Sequence, residues 1–215
     1  MEEARVAGAR IRMSSFLVAA RHWADRPWMK RALPIALAAL VFGYLRIAAA
    51  GERGGVKMPD RISAAGTTLV LNGMGIREAT MFNVDVYVAG LYLEKKTQSP
   101  DEVMSSEQVK RIDLVFVRDV DRDDITEAWT TQFKSNGADM TKLKGQIAQL
   151  NGWMVDMKEG NTLSFLYVPG KGLTVVVKGA EKGTLPGSDF GRAFFAIWFG
   201  KSPPNKGLKS GMLGK

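Results

Sequence analysis

An arginine and a tyrosine on neighbouring strand-like segments are the residues of this chain best suited to chemistry. Arg77 follows the apolar run Thr67–Leu71 and an Asn72-Gly73 pair, and Tyr87 lies inside the apolar, β-branched and aromatic run Val84–Leu93. Both runs have strand character. An Asn-Gly pair after a strand is a strong hairpin signal, so a turn is predicted at Asn72-Gly73. A guanidinium offers a planar fork of donors and stays charged at any working pH. Beside a phenol, it could hold a carboxylate or an enolate. On its strand Tyr87 shares a face with Asp85, Ala89 and Leu91, while Val84, Val86, Val88, Gly90 and Tyr92 point the other way. The plainer alternatives are a surface or ion-paired arginine and a core tyrosine with a satisfied hydroxyl.

Composition removes several other chemistries. The chain has no Cys and a single His, His22, near its beginning. Ser-His and Cys-His nucleophile pairs are thereby excluded from the rest of the chain, and imidazole- or thiolate-based metal sites are disfavoured. No metal and no cofactor is expected. Proton transfer would have to use Asp, Glu, Lys, Tyr or water. Asp119, Asp121, Asp123 and Asp124 cluster at a helix start, where acids favour the helix dipole, so a capping role is the first reading. Gly73-x-Gly75 lacks the third glycine and the βαβ setting of a dinucleotide loop. The net charge of +8 is concentrated early: residues 1–50 carry eight Lys/Arg against three Asp/Glu, the remainder 22 against 19. No basic stripe for nucleic acid is left after residue 50. Lys95-Lys96, Lys142 and Lys144 read as solvated charge.

The early segment reads as a leader. Lys30-Arg31, the apolar run Leu33–Leu45 and Ala48-Ala49-Ala50 before Gly51 form the three parts of a secretory signal peptide. The apolar run is short of the roughly 20 residues that a span needs. The expected organisation is a leader over 1–50, a linker or early strand over 51–65 and one domain over 66–215. Within the leader, 29–50 is the signal peptide, and 1–28 is an over-extension if translation begins at Met29. An exported, periplasmic protein cleaved near Ala50 follows, with no stable membrane span after cleavage; an uncleaved N-terminal membrane anchor is the alternative. An exported chain without Cys needs no oxidative folding.

The remaining elements follow from periodicity and turn residues. Strands are predicted at Thr67–Leu71, Val84–Leu93, Arg111–Val117, Thr162–Val168, Leu173–Lys178 and Lys182–Leu185. Helices are predicted over Ser99–Ser105, from Asp121 or Asp123 to about Ser135, over Met140–Met154, Phe190–Phe199 and Lys206–Leu213. This order indicates an α+β layer fold with a largely antiparallel sheet.

The chain resembles the chalcone isomerase-like family. The resemblance rests on Leu71, Gly73, Gly75 and Arg77, then Gly90-Leu91-Tyr92-Leu93-Glu94. It continues with Arg118-Asp119-Val120 leading into a helix with Trp129, the Tyr167–Gly172 turn and Phe190 through Ala196-Ile197-Trp198-Phe199-Gly200. It runs in order from about Ala65 to the C-terminus. It implies an open-faced β-sandwich with helices packed on one face of the large sheet and a ligand cleft between sheet and helices. It also implies that Arg77 contacts the ligand. True chalcone isomerases carry a threonine where Tyr87 stands; the fatty-acid-binding branch carries a tyrosine that joins the arginine around a carboxylate. The isomerases' helical tyrosine, asparagine and small hydroxyl residue match Ile125, Gln132 and Ile197 here.

The ligand-binding set implied is therefore Arg77, Tyr87, Ile125, Trp129, Gln132 and Ile197. Trp153, Trp198, Phe194 and Phe195 are either tunnel lining or plain core. Three readings follow. The first is an exported, non-catalytic protein binding a fatty acid or similar amphipathic carboxylate. The second is an intramolecular lyase or isomerase of an enone or phenolic substrate, with Arg77 on the developing oxyanion. The third is an envelope protein whose fold serves an unspecified protein partner.

Overall fold

In the computed structural model, residues 50–79 and 84–215 are described. The leader, the signal peptide, Met29 and His22 lie outside them. Strand β1 (Ala50–Arg53) pairs with β2 (Val56–Pro59) as a two-stranded ribbon. The main sheet has seven antiparallel strands in sequence order. They are β3 (Arg61–Ala64), β4 (Thr67–Ala79), β5 (Val84–Leu93), β6 (Lys110–Phe116), β7 (Thr162–Val168), β8 (Gly172–Val177) and β9 (Ala180–Leu185). The helices are α1 (Pro100–Ser105), α2 (Arg122–Ser135), α3 (Lys144–Trp153), α4 (Ser188–Phe199) and α5 (Lys206–Met212). The fold is α+β, a curled antiparallel sheet with helices. Among the described residues no helix is long and apolar enough to cross a membrane.

Strand alternation sorts the side chains into two apolar layers. Tyr87, Ala89, Leu91, Ile112, Leu114, Phe116 and Phe165 face the helices and join the large core. Val88, Tyr92, Leu69, Leu71 and Met74 face the other way and are covered by Met58 of β2. The faces read from the alternation of Val84–Leu93 are found from Tyr87 to Tyr92, but Val86, read on the face of Val88, packs with the helix-side core because the pairing shifts between Tyr87 and Asp85. Helix α4 is amphipathic, burying Phe190, Phe194, Phe195, Ile197, Trp198 and Phe199 and leaving Asp189 and Arg192 exposed on its other face.

Residues 51–65 take the early-strand alternative, supplying the ribbon and the sheet's first strand. Two expectations are corrected. The helix predicted over Met140–Met154 is shorter, α3, because Asp139 instead caps a turn by accepting from the Thr141 and Lys142 amides. Asn72-Gly73 does not turn the chain. β4 passes through it, and the pairing shifts from Leu71 opposite Tyr92 to Gly73 opposite Leu91, leaving Asn72 as the extra residue of a bulge. Its carboxamide is taken by distant partners, donating to the Thr97 and Met212 carbonyls at 3.0 and 2.8 Å and accepting from the Thr97 amide at 2.8 Å.

The short helix α1 is closed by a buried cation. Ser99 caps its start, accepting from the Glu102 amide at 3.2 Å. At its end Lys110, 2% exposed, donates to the Val103 and Ser106 carbonyls at 2.7 and 2.9 Å. The ammonium also lies 5.0 and 4.8 Å from the ring centroids of Tyr167 and Phe195. Burial lowers its pKa from 10.5 to about 8, against the pull of Glu107. Between those values the unfolded chain holds a proton that the folded protein has released, so stability rises with pH from about 8 to 10.5 and is lost as pH falls through 8. Burial lifts Tyr167 and Tyr87 from 10.0 to about 12, which reverses the slope above pH 10. We expect the urea midpoint to rise from pH 8 to pH 10. That rise should vanish in Lys110→Met, whose midpoint should also be lower at pH 9.

Candidate functional site

The bulge at Asn72 sets the geometry of the site. Before it, Leu69 and Leu71 face the ribbon side; after it, Met74 and Ile76 do. The one-residue slip moves Gly73, Gly75 and Arg77 onto the helix side. There Arg77 is the direct cross-strand partner of Tyr87, and Tyr87 in turn is opposite Phe116 of β6. A second irregularity follows at once, since Glu78 pairs with Asp85 and leaves Val86 extra on β5.

These residues line a cleft of about 440 Å3 where β4 ends, β5 begins and β6 ends, closed on its other side by α2. Its apolar wall is Val86, Phe116, Ile125, Ala128 and Trp129. Its polar groups are Arg77, Arg118 and Gln132 with Asp119, Asp121 and Asp124. Arg77 is half-buried and donates to the Glu78 carbonyl, and among the described residues no carboxylate lies within ion-pair distance of it. Its charge is therefore available to a ligand. Asp119 is engaged, accepting from Lys158 at 2.8 Å and from the Glu159 amide at 3.1 Å; these bonds hold its carboxyl below the usual range.

Tyr87 is 7% exposed and its hydroxyl accepts from the Trp198 indole N–H at 3.1 Å. An indole nitrogen can only donate. The phenolic proton is thus left for another acceptor. Burial raises the Tyr87 pKa to about 12, with the Trp198 hydrogen bond and the Arg77 charge pulling the other way. The phenol is neutral at physiological pH and stands as a donor beside a guanidinium. We expect Trp198→Phe, which keeps a ring but loses the N–H, to cost about 1–3 kcal/mol in urea unfolding, from one buried hydrogen bond and a smaller ring.

Five of the six expected site residues come together here: Arg77, Tyr87, Ile125, Trp129 and Gln132. Ile197 does not. It is fully buried in the α4 core, off the cleft lining. Trp153, Trp198, Phe194 and Phe195 are likewise off the lining; the last three are fully buried core. Sequence reasoning missed Arg118, a second cation on the lining, although it stands directly beside the Asp119–Asp124 cluster. The capping role for that cluster is only partly found: Asp123 and Asp124 occupy the first turn of α2, but Asp121 at the N-cap makes no side-chain cap bond.

A larger groove of about 650 Å3 lies between α1, the α2–α3 connection and α4. Its Lys142 is joined to Asp189 at the surface, and neither Arg77 nor Tyr87 reaches it. Among the described residues no cluster of His, Cys, Asp and Glu has the form of a metal site.

A curled antiparallel sheet, helices on one face and a half-polar cleft between the sheet's end and a helix make an α+β architecture with room for a small molecule. The chain belongs to the chalcone isomerase-like family, whose model matches residues 50–214. Among solved structures it is similar to the crystal structure of a fatty-acid-binding protein of Arabidopsis thaliana. The TM-score is 0.62 at 19% identity, over 77% of this chain and 96% of that one. No curated protein matches the chain.

Proposed function

We propose that this protein binds a fatty acid or similar amphipathic carboxylate in the β4–β5–β6/α2 cleft, without turning it over. One observation carries the reading. Arg77 and Tyr87 are direct cross-strand partners on one cleft, and the Trp198 N–H occupies the Tyr87 oxygen so that its proton is free to be donated. A carboxylate accepts from both and pairs with the charge. The apolar wall of Phe116, Ile125 and Trp129 suits the rest of an amphipathic molecule. The structural similarity to a fatty-acid-binding protein supports the same choice.

A phenol raised to about 12 is a standing donor and a poor proton shuttle near neutrality, which favours binding over isomerisation. The signal-peptide pattern of residues 29–50 supports the further reading that the protein is exported, with cleavage near Ala50. Native mass spectrometry of the protein purified without detergent tests the reading. An adduct with the mass of a carboxylic acid is expected. An empty protein that takes up no added acid would remove this function and direct effort to enone turnover and partner searches.

A further inference from the structure

The cleft is closed at the back and hostile at the front. At the back stands Trp129, 4% exposed, edge-on to Phe165 at 5.6 Å and to Phe194 at 6.3 Å. Phe165 packs on Phe194 at 4.7 Å, and Phe194 on Trp198 at 5.1 Å; all three are fully buried. This aromatic stack fills the space between sheet and α4 that a long chain would otherwise thread. At the front the lining changes to Arg118, Asp119, Asp121 and Asp124, all exposed. A tail turned outward would lie across ionised groups and bury little apolar area.

We infer that the ligand's apolar part is short, a medium-chain or comparably compact carboxylate rather than a long-chain fatty acid, with Trp129 as the residue that sets the limit. This rests on the carboxylate-binding reading and narrows it. The length follows from the helix that walls the cleft. From Ile125 to Gln132, both on the lining, α2 rises about 10 Å. An extended chain advances about 3.8 Å per three bonds, so roughly eight bonds fill that distance, the span from carboxylate oxygen to terminal methyl in an eight-carbon acid. Octanoic acid is the natural match. Longer acids gain nothing further, because the added methylenes meet either the aromatic stack or the acidic mouth.

Isothermal titration calorimetry of the full chain with straight-chain acids from butanoic to hexadecanoic, each below its micelle concentration, tests this. Affinity should rise about fourfold per methylene, which corresponds to ~0.8 kcal/mol, up to about octanoic acid and then level off. A rise that continues to hexadecanoic acid would overturn the length limit and leave the carboxylate reading standing. Failure of every acid to bind would overturn both. Trp129→Ala, if folded, should move the plateau to longer acids; a folded variant with an unmoved plateau would overturn the role of Trp129. Should that variant not fold, the series on the unaltered protein still decides.

Discussion

Replacing Arg77 with alanine is expected to weaken octanoate binding by on the order of thirtyfold, about 2 kcal/mol, while leaving the urea midpoint nearly unchanged. The first half follows from the loss of charge-assisted hydrogen bonds, which are worth roughly 1.5–3 kcal/mol. The second half follows from what Arg77 does without a ligand. It is half-buried, its bond is to the carbonyl of the adjacent Glu78, and it lacks an ion-pair partner among the described residues. Arg77→Lys should fall between, because it keeps the charge and loses the planar fork. Tyr87→Phe should behave differently. It removes the second donor but also strands the buried Trp198 N–H, so both affinity and stability should fall. Calorimetry with octanoate, paired with urea unfolding of each variant, separates the two effects. Unaltered affinity in a folded Arg77→Ala would sink the carboxylate assignment. A variant that bound normally but lost turnover of an enone would instead establish the enzyme.

Why so much of this site was legible, and some of it not, is a matter of range. Strand β5 is legible in its ends, and in its faces from Tyr87 onward, because alternation is a local signal; Val86 departs from it because the pairing with β4 makes it the extra residue of a bulge. The helix holding Ile125, Trp129 and Phe133 was legible for the same reason. Asn72-Gly73 misled because its role is not local. The carboxamide is used by Thr97 and by Met212 at the far end of the chain, so the pair makes a bulge within a strand instead of the turn its type favours. Nothing within a few residues of Asn72 carries that information. Arg77 and Tyr87 could be placed on adjoining strands from sequence, but their sharing a face depends on that bulge. Ile197 entered through the family resemblance alone; α4 contributes no residue to the cleft lining, and Ile197 is fully buried in the core. Arg118 was overlooked because exposed arginines are common and only the fold brings it to the cleft.

The glycines beside the bulge have an equally non-local cause, and their replacement should be strongly destabilising. A Cβ on Gly73 would overlap the Gly211 carbonyl oxygen of α5 and lie 2.7 Å from the Gly214 nitrogen; one on Gly75 would overlap the Leu208 carbonyl oxygen and lie 2.8 Å from its Cα. All of these are backbone atoms, so no side chain can swing aside. On the helix side, a Cβ on Gly211 would overlap the Met74 carbonyl oxygen in the same way. Strand and helix backbones are thus in direct contact, and Gly73-x-Gly75 is a packing seam with no phosphate-binding role. Gly73→Ala should cost about 3 kcal/mol by overpacking, read as a lower urea midpoint. Gly145→Ala, in α3 with nothing within 4 Å of the added Cβ, should instead stabilise by about 0.5–1 kcal/mol through helix propensity. The seam also reaches the site. Asn205, at the start of α5, donates to the Ile76 carbonyl at 3.1 Å, and Pro204 lies on the cleft lining. Displacing α5 should therefore lower octanoate affinity as well as stability. A Gly73→Ala protein with a lowered midpoint and unchanged affinity would show that the helix clamps the strand without positioning Arg77.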